Sequence, residues 1–211
     1  MSYSPYVVDI FPPSSVYSWV SHVSSLADEL ADMGIDPAHA NELRGWADEA
    51  FGQDIRWQNT FFSLEPAIEV RERFILTTQQ SWITTCVVSD KDREMLLETS
   101  GPKIADIGQS GALEAIRRGL TVSTKMVRVG YEVLSWELIN DVGESWVNDG
   151  VAAAVIMRRQ VELNELGLIP TAELAAAICR DLDRGRYPNA EEGPWFVGAI
   201  HVLSNPTTAC S

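Results

Sequence analysis

The chain has 211 residues, 45% of them hydrophobic and 22% charged, which is enough apolar material for one sizeable core and excludes a disordered or heavily charged chain. A formal net charge of -14 and a pI near 4.5 exclude a general binder of nucleic acid or of anionic membrane, because such a surface repels phosphates at long range. Acidity of this size serves solubility, meets a basic partner, or holds like subunits apart.

In chain order, Pro5, Pro12 and Pro13 fix φ and withhold donors, so the first residues read as an extended arm. That arm has neither a basic n-region nor an apolar h-region, and no run of about eighteen apolar residues follows, so neither a secretion signal nor a membrane span is expected. Val16, Trp19, Val20, Val23, Leu26, Leu30 and Met33 recur at helical steps and predict a helix from Ser14 to Gly34. Asp36 and Pro37 open a second helix that runs to about Phe51. Residues 66–87 predict a core helix. Ser89 caps DKDREMLLE, which Gly101-Pro102 ends, leaving 101–111 as a loop. A long helix is expected from Leu113 to Ile139 despite Gly119 and Gly130, each costing about 1 kcal/mol against alanine. Residues 137–149 read as a solvated helix end. Another helix spans about 150–166 and stops at Gly167. Thr171 caps the last helix, which ends near Gly185, and the tail from Tyr187 holds one strand. The expected fold class is all-α: an antiparallel helical bundle over 1–145 with an extended N-terminal arm, and a C-terminal helical extension over 146–211 packed on the same domain.

The residues offer little catalytic chemistry. His22, His39 and His201 stand alone, without HExxH or ExxH spacing, so no metal ligands are expected. No GxGxxG or P-loop occurs, and no cofactor is expected. Cys86, Cys179 and Cys210 form no CxxC pair, which fits a reducing, cytoplasmic compartment. A Cys86–His22 nucleophile pair is conceivable, but a buried inert cysteine is the plainer reading. No catalytic residue and no small-molecule substrate follow from these residues.

One stretch departs from the overall charge: RRGLTVSTKMVR, residues 117–128, carries four cations and no carboxylate. On a helix, Arg117, Arg118, Lys125 and Arg128 fall within an arc of roughly 100°, apart from the apolar arc of Val127, Tyr131, Leu134 and Leu138. That arrangement predicts a basic ridge suited to phosphates. The plainer reading is a solvated face paired with Glu114 and Glu132.

MSYS at the start, SWVSHVSSLADEL, Trp57, LEAIRR and WELI follow one another in an order that resembles the coat (capsid) proteins of rod-shaped RNA viruses of the tobamovirus, tobravirus and benyvirus kind. The resemblance covers roughly residues 1–145 and lies in collinearity. It implies a helical bundle that polymerises helically with copies of itself and packages single-stranded RNA, in a virion or the host cytoplasm. It further implies that Arg117 and Arg118 contact RNA phosphates with Lys125 and Arg128 beside them, that Lys91 and Arg93 are the basic positions of the preceding helix, and that Asp90, Asp92, Glu94, Glu98 and Asp106 are carboxylates opposed across subunits. Gly119 and Leu120 stand where that family carries acidic residues. The rival expectations are a monomeric acidic helical binder, such as an immunity protein or inhibitor of a basic partner, and a small helical enzyme of unfamiliar type.

Overall fold

The structure is a computed structural model and describes residues 6–10, 39–51, 60–61, 64–75, 81–107, 122–137, 142–145, 151–188, 190 and 194–203. Along the chain these form β1 (Tyr6–Ile10), α1 (Ala40–Phe51), β2 (Thr60–Phe61), α2 (Leu64–Arg73), β3 (Ser81–Val88), α3 (Asp90–Ile107), β4 (Met126–Glu137), β5 (Val142–Ser145), α4 (Ala152–Arg159), α5 (Ala172–Asp183) and β6 (Trp195–Leu203). The strands make one antiparallel sheet in the order β2-β1-β3-β6-β4-β5. The expected all-α helical bundle is therefore wrong, and with it the bundle that the coat-protein resemblance implies.

The centre of the sheet is β3-β6-β4. Both outer members are antiparallel to β6, so β3 and β4 run parallel to each other with β6 between them, and α3 lies in the connection from one to the other. This is a split β-α-β arrangement. Side chains alternate across the sheet. Phe196, Leu134 and Val88 go to one face and pack with Leu96 of α3. Trp195 and Val133 go to the other and pack with Val155 of α4 and Ile178 and Leu182 of α5. On that second face, Ile83, Met126 and Leu203 pack with Leu43 of α1 and with Ala67 and Val70 of α2.

Local chemistry explains why particular segments departed from expectation. Within 66–87, the helix stops at Arg73 and a strand begins at Ser81. The run Ile83-Thr84-Thr85 with Val87-Val88 is β-branched, and such side chains lose rotamer freedom on a helix and fit a pleated surface. Within 113–139, Val127, Val129 and Val133 favour a strand for the same reason, and Met126–Glu137 forms one. Residues 142–145, read as a helix end, pair with β4 instead. Ser89 does cap α3: its hydroxyl donates to Asp92 Oδ2 at 2.8 Å and accepts from the Asp92 amide at 3.1 Å. That helix then continues through Gly101-Pro102 to Ile107. Thr171 caps α5 by accepting from the Leu174 amide at 3.3 Å, and Gly185 follows with φ +63. The helix expected over 150–166 ends at Arg159, where Gln160 takes a left-handed conformation, φ 51. The helix expected over 14–34 lies outside the described residues.

A bulge in β4 between Arg128 and Gly130 removes Val129 from the ladder, and its carbonyl must find another donor. Asn164 supplies it, donating from Nδ2 at 2.7 Å. The same side chain accepts from the Leu166 and Leu168 amides at 3.0 and 2.9 Å, so one amide group folds its own loop and fastens it to the sheet. Tyr131 and Ile169 exchange backbone hydrogen bonds of 2.9 Å in each direction beside it. Gly130 is required there because a Cβ would stand 2.6 Å from Leu168 Cβ. Asn164→Ala should lower stability by about 1–3 kcal/mol, the cost of stranding such partners. The check is the unfolding midpoint, which for a chain of this size should fall by roughly 2–4 °C per kcal/mol.

Candidate functional site

The expected basic ridge requires a helix over 117–128, and the structure removes its geometry. Arg117 and Arg118 lie outside the described residues. Lys125 is exposed in the turn before β4, its amide 3.3 Å from the Ser123 hydroxyl. Arg128 is an exposed strand residue whose Cα partner is His201, and its guanidinium lies 5.3 Å from the centre of the Tyr131 ring. On the strand Arg128 shares a face with Tyr131, which a helix would have set apart from it, and Lys125 stands in the turn, so these two described cations do not lie on one helical arc. Lys91 and Arg93 sit in the first turn of α3, just past Val88, which pairs with Gly198. Met126, just past Lys125, pairs with Leu203 at the far end of β6. The two expected basic groups therefore occupy opposite ends of the sheet.

The expected carboxylates are closer to one another. Asp90, Glu94 and Glu98 are exposed and four residues apart on α3, so they line one stripe of that helix. Asp92 is half-buried and serves the Ser89 cap. Asp106 lies in the last turns of the same helix.

A charged cluster that sequence reasoning missed lies where α4 meets the end of α5. Arg158 and Arg159 close α4, where cations favourably meet the carbonyl end of a helix. Gln160 then turns the chain away. At the end of α5, Gly185 lets the backbone fold back, and the Arg186 amide donates to the Asp181 carbonyl at 3.1 Å. Asp181, only 2% exposed, accepts from Arg159 Nε at 2.7 Å through Oδ2 and from Arg186 Nη1 at 2.6 Å through Oδ1. Arg158 donates to the Arg186 carbonyl at 3.3 Å, and its guanidinium lies 5.6 Å from the centre of the Tyr187 ring. Tyr187 is 5% exposed, and its hydroxyl is buried without a hydrogen-bond partner.

The electrostatics of the cluster are one-sided. Burial alone would raise the pKa of Asp181, but the Arg159 hydrogen bonds, with the charges of Arg159, Arg186 and Arg158, outweigh it and hold the carboxyl below its ordinary value. Asp181 is therefore ionised at neutral pH, and three guanidiniums less one carboxylate leave a local surplus of two positive charges, in a chain of net charge -14. The sequence signals were the pair Arg158-Arg159 and the run RDLDRGRY. Neither reveals that Arg159 reaches a carboxylate 22 residues further along the chain.

Neither of the two described cysteines, Cys86 and Cys179, is an activated nucleophile. Burial, with the nearby Glu132 charge, pushes the Cys86 thiol up to about 12. Burial, with Asp183 next in effect, does the same for Cys179, whose Sγ donates to the Trp195 carbonyl at 3.1 Å. His22, imagined beside Cys86, lies outside the described residues. Among the described residues no group of three or more His, Cys, Asp or Glu is placed to hold a metal ion, and no helix is long and apolar enough to cross a membrane. Comparison with family models, with curated proteins and with solved structures found no match.

Asp181→Asn should destabilise the chain by up to about 3 kcal/mol, the lower end for a broken buried pair because both arginines reach solvent. The sign with pH follows from the depressed pKa: the stabilising contribution is full above the unfolded carboxyl value of about 3.9 and is lost as pH falls through the lower folded value. Denaturant titrations of both proteins between neutral and strongly acidic pH should therefore diverge most at neutrality and converge in acid.

Proposed function

We propose that the chain is a binding protein that takes an oxyanion of its ligand into the arginine cluster around Asp181. The observation that carries this reading is the imbalance of three guanidiniums against one carboxylate on a strongly acidic protein. Arg158 and Arg186 are exposed, and a guanidinium presents more N–H groups than these few bonds employ. The overall charge repels an extended polyanion at long range but does little to a single small anion at contact distance, where salt screening confines the field to about 8–10 Å.

A second reading keeps self-association around single-stranded RNA, with a virion as the place of action. It is favoured by the exposure of Lys125 and Arg128 near one end of β4, next to the carboxylate-free segment that carries Arg117 and Arg118. Co-sedimentation with single-stranded RNA tests that reading, and it fails if Lys125 and Arg128 can both be made alanine without effect.

For the first reading the measurement is thermal unfolding in sulfate or phosphate against chloride at equal ionic strength. The oxyanions should raise the midpoint in proportion to the logarithm of their concentration above the dissociation constant, and Arg158→Ala combined with Arg186→Ala should abolish the difference. An equal response of parent and double variant would sink the reading.

A further inference from the structure

The same cluster carries an inference about the class of anion, one that rests on the oxyanion reading above. We propose that the site is built for a phosphomonoester, a dianion, in preference to a phosphodiester or a carboxylate.

The charge of the cluster favours a dianion. One carboxylate shared by two arginines, with a third beside them, leaves a surplus of two. A phosphomonoester carries roughly -1.5 to -2 at neutral pH and three acceptor oxygens. A diester or a carboxylate carries one charge and would leave the other uncompensated.

Preorganisation comes next. Asp181 fixes the Arg186 and Arg159 guanidiniums, while the Tyr187 ring and the Arg186 carbonyl hold Arg158. Less side-chain freedom is then lost when the forked donors close on phosphate oxygens, whose spacing they match.

The third observation is independent of charge. The Tyr187 hydroxyl is buried without a partner, and a stranded hydroxyl costs stability that an acceptor would recover. Its ring lies 5.6 Å from the Arg158 guanidinium, and an anion drawn in past Arg158 would find in this hydroxyl a neutral donor.

The ester can be a free small molecule or a phosphorylated side chain, and the experiment separates the two. The full chain is titrated at pH 7.5 with methyl phosphate, dimethyl phosphate, sulfate and a short phosphoserine peptide, with affinity read by calorimetry. Methyl phosphate should bind at least about tenfold more tightly than dimethyl phosphate and should weaken as pH falls through its second pKa near 6. Arg158→Ala should weaken it by a similar factor with little change in the unfolding midpoint, since Arg158 does not contact Asp181. Tyr187→Phe should weaken it severalfold while leaving the midpoint unchanged or raised, a combination that a purely structural tyrosine would not produce. A peptide at least about tenfold tighter than methyl phosphate identifies a phosphorylated protein, and equal affinities identify a small ester. Diester binding as tight as the monoester overturns the monoester inference and leaves the oxyanion reading standing, whereas sulfate, a dianion too, should bind within severalfold of methyl phosphate, and its failure to bind would overturn the charge-matching argument. No binding of any of these anions at millimolar concentration overturns both.

Discussion

Because β6 hydrogen-bonds to β3 along one edge and to β4 along the other, the two halves of the sheet are joined by a strand that enters the chain after α5. Without it, β3 and β4 face each other across a gap that no local hairpin can close. The fit is tight at Gly198, where any Cβ would collide with the Cys86 sulfur and meet Leu134 Cδ1 at 3.1 Å. Every helix that packs on the central strands depends on this insertion. α3 rests on the face that Phe196 completes, and α5 rests on the face that Trp195 completes.

That insertion also explains how much of the fold the sequence made legible. Signals that act within a few residues were readable: the Ser89 and Thr171 caps, the end of α5 near Gly185, the body of α1 and a strand in the tail. Sheet membership was not readable, because strands covered on both faces lose the alternation that marks a half-exposed strand. In β3 Ile83, Thr84, Thr85, Val87 and Val88 are all buried, and in β4 Glu132 is 1% exposed at a position that looks solvent-facing. Spacings such as Val127, Tyr131 and Leu134 then match a helical period by coincidence. The resemblance to rod-virus coat proteins drew on the same segments, and its helical bundle fell with them.

The functional reading shifted for a related reason. A run of cations along the sequence suggested one face, but a strand divides its neighbours between two faces, and the described members of the expected site ended far apart. The cluster around Asp181 is invisible as a run, since Arg159 and Asp181 come from different helices and Arg186 from the turn beyond. Its signal is three-dimensional: one acid that could be buried only because two guanidiniums go with it. Such pairing first fastens α4 to α5. What exceeds that task is the remaining positive charge, together with the unpartnered hydroxyl beside it.

The sulfurs at the centre of the molecule have a consequence for how its motions can be watched. Reagents that alkylate thiols consume the thiolate, and Cys86 and Cys179 hold almost none of it while their surroundings stay closed. Modification is then slow while the sheet stays paired, and its acceleration reports openings. Cys86, against Gly198, times the parting of β3 from β6, and Cys179, bonded to the Trp195 carbonyl, times the lifting of α5 from the start of that strand. The two thiols are thus separate clocks on either side of one strand, able to tell whether the sheet divides before its helical cover comes away.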